Sequence, residues 1–212
     1  LSFVLALAGR LMLKDRLTRT GRWHERMDNM GMGLTGRTLG VVGAGRIGKE
    51  LLRMARAFDL KLLAADPYVY AIELGYIGAR KVDLDTLLAE ADFVVVCCLL
   101  NDETRHLIGA PQFARMRPNA YFVNVARGPI VDELALIEAL RTGRIRGAAL
   151  DVFEQEPVAP DNPLLAMDNV VLLPHVGSAT RETRQAMGDL CKANLDAWFA
   201  GKPLPTLIPE LA

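Results

Sequence analysis

The stretch that most constrains this chain is Thr38 to Glu50, TLGVVGAGRIGKE. An apolar run, Leu39 to Val42, leads straight into Gly43-x-Gly45-x-x-Gly48, and Lys49 to Phe58 then carries apolar side chains at helical spacing. The pattern predicts strand, tight turn and helix, with a separate task for each glycine. Gly43 allows the sharp turn, Gly45 leaves bare backbone for a pyrophosphate to approach, and Gly48 lets helix and strand pack closely. The start of such a helix offers unpaired N–H groups and a positive dipole end to phosphates. The motif alone is weak, but a second apolar run, Leu60 to Ala65, ends in Asp66. That is roughly 20 residues beyond the glycines, where an acid accepts hydrogen bonds from adenosine ribose hydroxyls. Such an acid repels a 2′-phosphate, which favours NAD over NADP; the plainer reading of Asp66-Pro67 is a turn after a strand.

Bulk properties set wide limits. With 212 residues and 51% hydrophobic composition, the chain is long enough to bury about 70% of its unfolded surface. Lys plus Arg and Asp plus Glu are equal at 25 each, so no net charge draws it to nucleic acid or a membrane surface. Of the three cysteines, Cys97 and Cys98 are adjacent on what reads as a strand, which points them to opposite faces, and Cys191 stands apart. No spacing suggests a metal site or a disulfide framework, which predicts a reducing, cytoplasmic setting. The opening LSFVLALAGRLML mimics a cleavable leader, yet its apolar stretch is too short and unpreceded by basic residues, and Arg10 and Lys14 interrupt any membrane span.

Leu1 to about Arg19 reads as one helix, apolar most of the way round and therefore buried on several sides. Because the chain starts at Leu rather than Met, the expectation is that an N-terminal portion is lost and that this helix packed against it. Thr20 to Gly36 reads as a connector, and Pro67 to Arg80 as a loop with a short helix at most. Arg80 to Val82 is a brief strand, Asp83 the N-cap of a helix Leu84 to Ala91, and Phe93 to Leu100 (FVVVCCLL) a strand buried on both faces. A short helix, Pro111 to Met116, precedes a strand Tyr121 to Ala126. Then come a helix Asp132 to Thr142, strands Ala148 to Phe153 and Val170 to Leu173, and a last helix Glu182 to Ala200 closed by Gly201. The alternation predicts an α/β fold, a doubly wound parallel sheet of the Rossmann type. Ligands bind such sheets beyond the carboxyl ends of the strands.

Candidate reactive residues fall on that same edge. Arg127, in NVARGPIVDE, follows a strand and suits a substrate carboxylate with an adjacent carbonyl, although a loop arginine is also at home in a salt bridge. Asp151, in ALDVFEQEP, stands near a strand end, where it orients a carboxamide or caps a turn. Glu156, in the loop before Pro157, is by residue type an ordinary solvated acid. His175, in LLPHVGSAT, is the one histidine at a carboxyl strand end, whereas His24 and His106 read as surface loop residues. A carboxylate paired with a histidine favours imidazolium and makes it a general acid near neutral pH. Arginine, carboxylate-steered histidine and a nicotinamide are together the parts for reducing a 2-keto acid.

Through LGVVGAGRIGKE, the strand-end Asp66, NVARGPIVDE, ALDVFEQEP and PHVGSAT, in that order, the chain resembles the D-isomer-specific 2-hydroxyacid dehydrogenases over essentially its whole length. The resemblance implies Arg127 as the substrate-binding arginine, His175 as acid/base and Glu156, rather than Glu154, as its partner. It implies NAD contacts at Gly43, Gly45, Arg46, Ile47, Gly48, Asp66, Cys98, Thr104, Val125, Ala126, Arg127, Asp151, His175 and Gly177, no metal, and a homodimer. The formate dehydrogenase branch is disfavoured, since it is expected to carry Gln where Glu156 stands. Two departures matter. CLLNDET (Cys98 to Thr104) replaces the family's frequent CPLTPET, which predicts an altered turn near the nicotinamide. The N-terminal half of the substrate domain has no counterpart here. The resemblance makes residues 1–19 a linking helix, 20–181 the dinucleotide-binding domain, and 182–212 a return helix and tail, with Lys202 to Ala212 leading back to the absent domain.

The reading is therefore an NAD-dependent oxidoreductase for a small D-2-hydroxy or 2-keto acid, with glyoxylate, hydroxypyruvate and phosphoglycerate-like compounds as candidates. The alternatives are an NAD(H)-sensing corepressor-like binding protein of the same fold, or an NAD-binding fragment without activity.

Overall fold

The computed structural model describes residues 1–207. It opens with helices α1 (Ser2–Gly9) and α2 (Leu11–Arg19). The single helix expected over Leu1 to Arg19 is thus broken, because Arg10 takes the left-handed conformation (φ 51°, ψ 42°) and both ends α1 and begins α2. After a connector with one 3-10 turn, Trp23–Arg26, come β1 (Thr38–Val42), α3 (Arg46–Ala55), β2 (Lys61–Ala65), α4 (Ala71–Ile77) and β3 (Ala79–Lys81). The chain continues through α5 (Leu84–Glu90), β4 (Phe93–Val96), α6 (Ala110–Arg115) and β5 (Tyr121–Asn124). Next are α7 (Glu133–Arg141), β6 (Gly147–Leu150), β7 (Val170–Leu172) and α8 (Arg181–Phe199).

Three strands end sooner than their apolar runs. Phe93 to Leu100 is strand only to Val96, Tyr121 to Ala126 only to Asn124, and Ala148 to Phe153 only to Leu150. For the last two the cause is visible in the hydrogen bonds. Ala126 N–H donates to the Asn124 side chain, 3.0 Å, and Phe153 N–H to the Glu156 carboxylate, 3.0 Å. Side chains have taken the place of the neighbouring strand, and the freed backbone forms the loops of the carboxyl edge.

All pairings are parallel, in a seven-stranded sheet of order β3-β2-β1-β4-β5-β6-β7. The winding reverses at β1, which pairs with β2 on one side and β4 on the other. In such a sheet the reversal splays the two connecting loops apart and opens a crevice beyond the strand ends. The period of two along each strand divides the apolar residues between two faces. Leu63, Val94, Val96 and Phe122 join Leu87, Leu88, Phe113, Leu136 and Leu140 of α5, α6 and α7. Leu62, Phe93, Val95, Tyr121 and Val123 join Leu51, Leu52 and Leu74 of α3 and α4 on the other. Helix α1 adds Phe3, Val4, Leu7 and Ala8 to that second face, which accounts for their burial. Cys97 and Cys98 pack on opposite faces, as alternation requires, although both lie just past β4.

Residues 1–175 form one compact unit and the chain from Val176 a second. In the second, Thr180 caps α8 by accepting from the Thr183 N–H, 3.1 Å. No residue of α8 is buried, and Asn194 ties down Thr206 at 2.9 Å. Of the tail expected over Lys202 to Ala212, residues 208–212 lie outside the described residues. Among the described residues no helix is long and apolar enough to cross a membrane.

Phe122 is fully buried and meets Phe113 edge-on at 5.3 Å. Phe122→Ala should lower unfolding free energy by about 3–5 kcal/mol, measurable as a shifted urea midpoint at unchanged slope.

Candidate active site

Each glycine of the turn has a distinct geometry. Gly43 lies at φ +91°, and a Cβ there would stand 2.4 Å from the Cys98 backbone N, so both conformation and space demand glycine. A Cβ on Gly48 would meet the Gly43 carbonyl oxygen at 2.3 Å, which is how closely α3 packs on the turn. Gly45, by contrast, has nothing within 4 Å of a built Cβ, and its φ of −70° is ordinary. Its requirement is therefore not internal to the fold; the bare face is open to a ligand. Gly45 also begins α3 without a side-chain cap, which leaves first-turn N–H groups at Arg46, Ile47 and Gly48 free for phosphate.

Asp66 follows β2 and reaches across to the turn. Its Oδ2 accepts from the Ala44 N–H, 2.8 Å, and its Oδ1 from the N–H groups of Tyr68, 2.8 Å, and Val69, 3.1 Å. Three backbone donors thus hold the Asp66 side chain at the lip of a cleft of about 590 Å³. That cleft is also lined by Gly43, Gly45, Ile47, Cys98, Val125, Ala126 and Arg127. It sits where the loops after β1 and β4 diverge, and a dinucleotide fits it: a bare glycine face, an uncapped helix start and a fixed ribose acceptor. Burial pushes the Cys98 thiol up and the Cys97 thiol up to about 12, which keeps these two in the thiol form at neutral pH.

Arg127 is placed by its neighbours. Buried Asn124 donates to the Arg127 carbonyl, 2.9 Å, while accepting from Ala126 N–H, and the guanidinium donates to the Ala126 carbonyl at 2.6 Å. A Cβ on Gly128 would stand 1.8 Å from the Phe153 carbonyl oxygen, so the loops after β5 and β6 touch backbone to backbone. Phe153 N–H in turn donates to Glu156 Oε1, and Glu156 Oε2 lies 2.8 Å from His175 Nδ1. An ionised carboxylate only accepts, so Nδ1 carries the proton and Nε2 is left for a substrate. His175 holds φ +54°, an uncommon conformation for a non-glycine residue and a sign of an over-determined position. Burial pushes the Glu156 carboxyl up, but the hydrogen bonds from His175 and Phe153 and the charges of His175 and Arg127 outweigh it. Glu156 therefore sits below the ordinary carboxylate range and stays ionised at neutral pH.

His175 and Glu156 line a second cavity of about 600 Å³, with Phe153, Pro157, Leu173 and Pro174. Arg127 borders the dinucleotide cleft, and its charge acts on Glu156, which joins the two spaces electrically. Asp151 is buried directly after β6, with its N–H donated to the Asn124 carbonyl, 3.1 Å. Thr104 does not line the cleft; its hydroxyl donates to the Leu99 carbonyl and accepts from the Asn101 N–H, which shapes the turn in CLLNDET. Gly177 belongs to the second unit. His106, read as a plain surface residue, pairs with Glu154 at 2.6 Å and holds φ +51°. Among the described residues no group of His, Cys, Asp and Glu could hold a metal.

Fold and cleft define a dinucleotide-binding α/β domain whose carboxyl edge carries an arginine and a carboxylate-held histidine. Residues 1–177 match the family model of the D-isomer specific 2-hydroxyacid dehydrogenase, NAD binding domain, and the chain belongs to that family. It is 43% identical over 212 residues to a glyoxylate reductase of Korarchaeum cryptofilum, covering 99% of this chain and 64% of that protein. It is 42% identical over 216 residues to a D-3-phosphoglycerate dehydrogenase of Archaeoglobus fulgidus, covering 99% and 41%. The crystal structure of a glyoxylate reductase from Paecilomyes thermophila superposes with a TM-score of 0.90 at 35% identity, over 99% of this chain and 63% of that one. The chain thus spans from about two-fifths to just under two-thirds of these proteins.

The glycine geometry separates folding from binding. Gly45→Ala should keep the melting temperature of the parent yet weaken NADH binding, by titration calorimetry, at least about tenfold, since a blocked hydrogen bond to a charged group is worth about 1.5–3 kcal/mol. Gly43→Ala should lower the melting temperature as well.

Proposed function

We propose that the protein is an NAD-dependent D-2-hydroxyacid dehydrogenase that reduces a small 2-keto acid, with glyoxylate and hydroxypyruvate as the first candidates. The reading is carried by one observation, the Glu156–His175 pair beside an arginine that borders the dinucleotide cleft. Gly43 to Gly48 and Asp66 hold the dinucleotide. When bound, NADH supplies a hydride for the substrate carbonyl carbon. The Arg127 guanidinium pairs with the substrate carboxylate and draws charge from the adjacent carbonyl. The imidazolium form of His175, steadied by the hydrogen bond from its Nδ1–H to Glu156, gives its Nε2 proton to the carbonyl oxygen and is left as neutral imidazole. In the oxidative direction the same ring takes the hydroxyl proton. The names of the related reductases support a short oxo acid as substrate.

Domain roles and assembly belong to the same reading. Exposed Met187, Leu190, Leu195, Trp198 and Phe199 support α8 as the helix that leads to a substrate domain, with residues 1–19 as its counterpart and 20–181 as the cofactor domain. Trp23, Met27 and Met30 are each more than 60% exposed on the connector before β1, which supports a homodimer through that face. Trp23→Glu should then shift the sedimentation coefficient to that of a monomer.

The assay is NADH oxidation by the natural full-length protein against a panel of 2-keto acids. His175→Ala should lower kcat about 10²- to 10⁴-fold, and Arg127→Ala should lower kcat/KM about 10- to 150-fold. Because Glu156 is held below the ordinary carboxylate value, its pairing is complete at neutral pH and lost as pH falls through its folded value. Activity should therefore show an acid limb that lies below the ordinary carboxylate range. Glu156→Gln should remove that limb and shift reduction toward lower pH with a reduced kcat. Full turnover by His175→Ala would sink the assignment.

A further inference from the structure

The opposite, amino edge of the sheet carries a second concentration of charge. Tyr121 opens β5, Arg146 immediately precedes β6, Asp168 lies just before β7, and α1 and α2 meet there at Arg10. These residues line a cavity of about 150 Å³. A water needs on the order of 10–15 Å³ of such space, so a small polyatomic ion fits.

The ion pairs around it leave a surplus of cation. Arg16 is matched by Asp168 at 2.7 Å, Arg19 by Asp15 at 2.7 Å, and Arg22 by Glu25 at 2.5 Å. Arg10 and Arg146 have no carboxylate partner among the described residues, and the one carboxylate on the cavity wall is already engaged by Arg16. Both free guanidiniums act on the same phenol. The Arg146 guanidinium carbon lies 5.8 Å from the Tyr121 ring centre. Burial pushes the Tyr121 hydroxyl up, and the charges of Arg146 and Arg10 pull against it. Two half-buried cations converging on one cavity repel each other unless an anion sits between them. The start of α2 adds to the same field, since it has no side-chain cap and Met12 and Leu13 form part of the wall.

We propose that this cavity binds a small oxyanion, a carboxylate or phosphate group, between the guanidiniums of Arg10 and Arg146, with the Tyr121 hydroxyl as a further donor. Guanidinium forks match such groups two bonds at a time. The site is independent of the dinucleotide cleft, from which it is separated by the length of the strands, roughly 10–15 Å. It also explains an arginine at the left-handed break between α1 and α2, where glycine or asparagine would be easier.

The test is titration calorimetry of the natural protein with inorganic phosphate and, separately, with oxalate, at constant ionic strength. Saturable binding of at least one of them is expected. Arg10→Gly removes the charge and suits the left-handed backbone, and Arg146→Gln removes the other charge; each should weaken binding tenfold or more. Arg146→Lys should retain most of it. If Arg10→Gly fails to fold, the Arg146 pair decides alone. No saturable binding of either ion, or binding that Arg146→Gln leaves unchanged because the ion sits at the glycine turn, would overturn the proposal.

Discussion

The carboxyl edge depends on one close approach, the Gly128 backbone against the Phe153 carbonyl. No side chain fits between them, since a Cβ would stand 1.8 Å from that oxygen. The contact fixes the loop that carries Arg127 against the loop that carries Glu156. From there the order passes through hydrogen bonds: Phe153 N–H to Glu156, and Glu156 to His175. A rigid backbone contact positions a charge more sharply than side-chain pairing alone, because it leaves few rotamers to fix. The left-handed backbone at His175 is offset by the hydrogen bond from its Nδ1–H to the Glu156 carboxylate.

A second close approach, Gly43 against Cys98, does the same for the cofactor side. It lies where the winding of the sheet reverses, between β1 and β4. Packed turn and open Gly45 face then stand side by side. The domain is thus close-packed at Gly43 and Gly48 and bare at Gly45. The amino edge is built differently, from long arginine side chains over a phenol, with the strands holding the two edges apart.

Much of this was legible in the sequence, and for physical reasons. The tasks of Gly43 and Gly48 could be assigned because only glycine tolerates φ +91° or a 2.3 Å contact, and such tasks recur at fixed spacing. The run FVVVCCLL announced a strand buried on both faces, but not its end at Val96. Apolar composition continues past the last strand pairing, whereas strand ends are set by partners distant in sequence. Arg10 concealed the break between α1 and α2, because an arginine carries no turn signal. Asn124 is fully buried, and no local pattern marks it within its motif; a polar side chain in so apolar a run requires partners, and that is the one clue the sequence offers. The His106–Glu154 pair joins residues 48 apart and left no local trace.

On the proposed reading, a short oxo acid bound beside the nicotinamide touches both the ring of residue 175 and the guanidinium of residue 127. A crystal structure of the natural full-length protein with NADH and oxamate measures this directly. The oxamate carbonyl oxygen is expected within about 3 Å of both His175 Nε2 and an Arg127 nitrogen. Oxamate bound out of reach of either side chain, or a His175 ring bonded to Glu156 through Nε2, would contradict it.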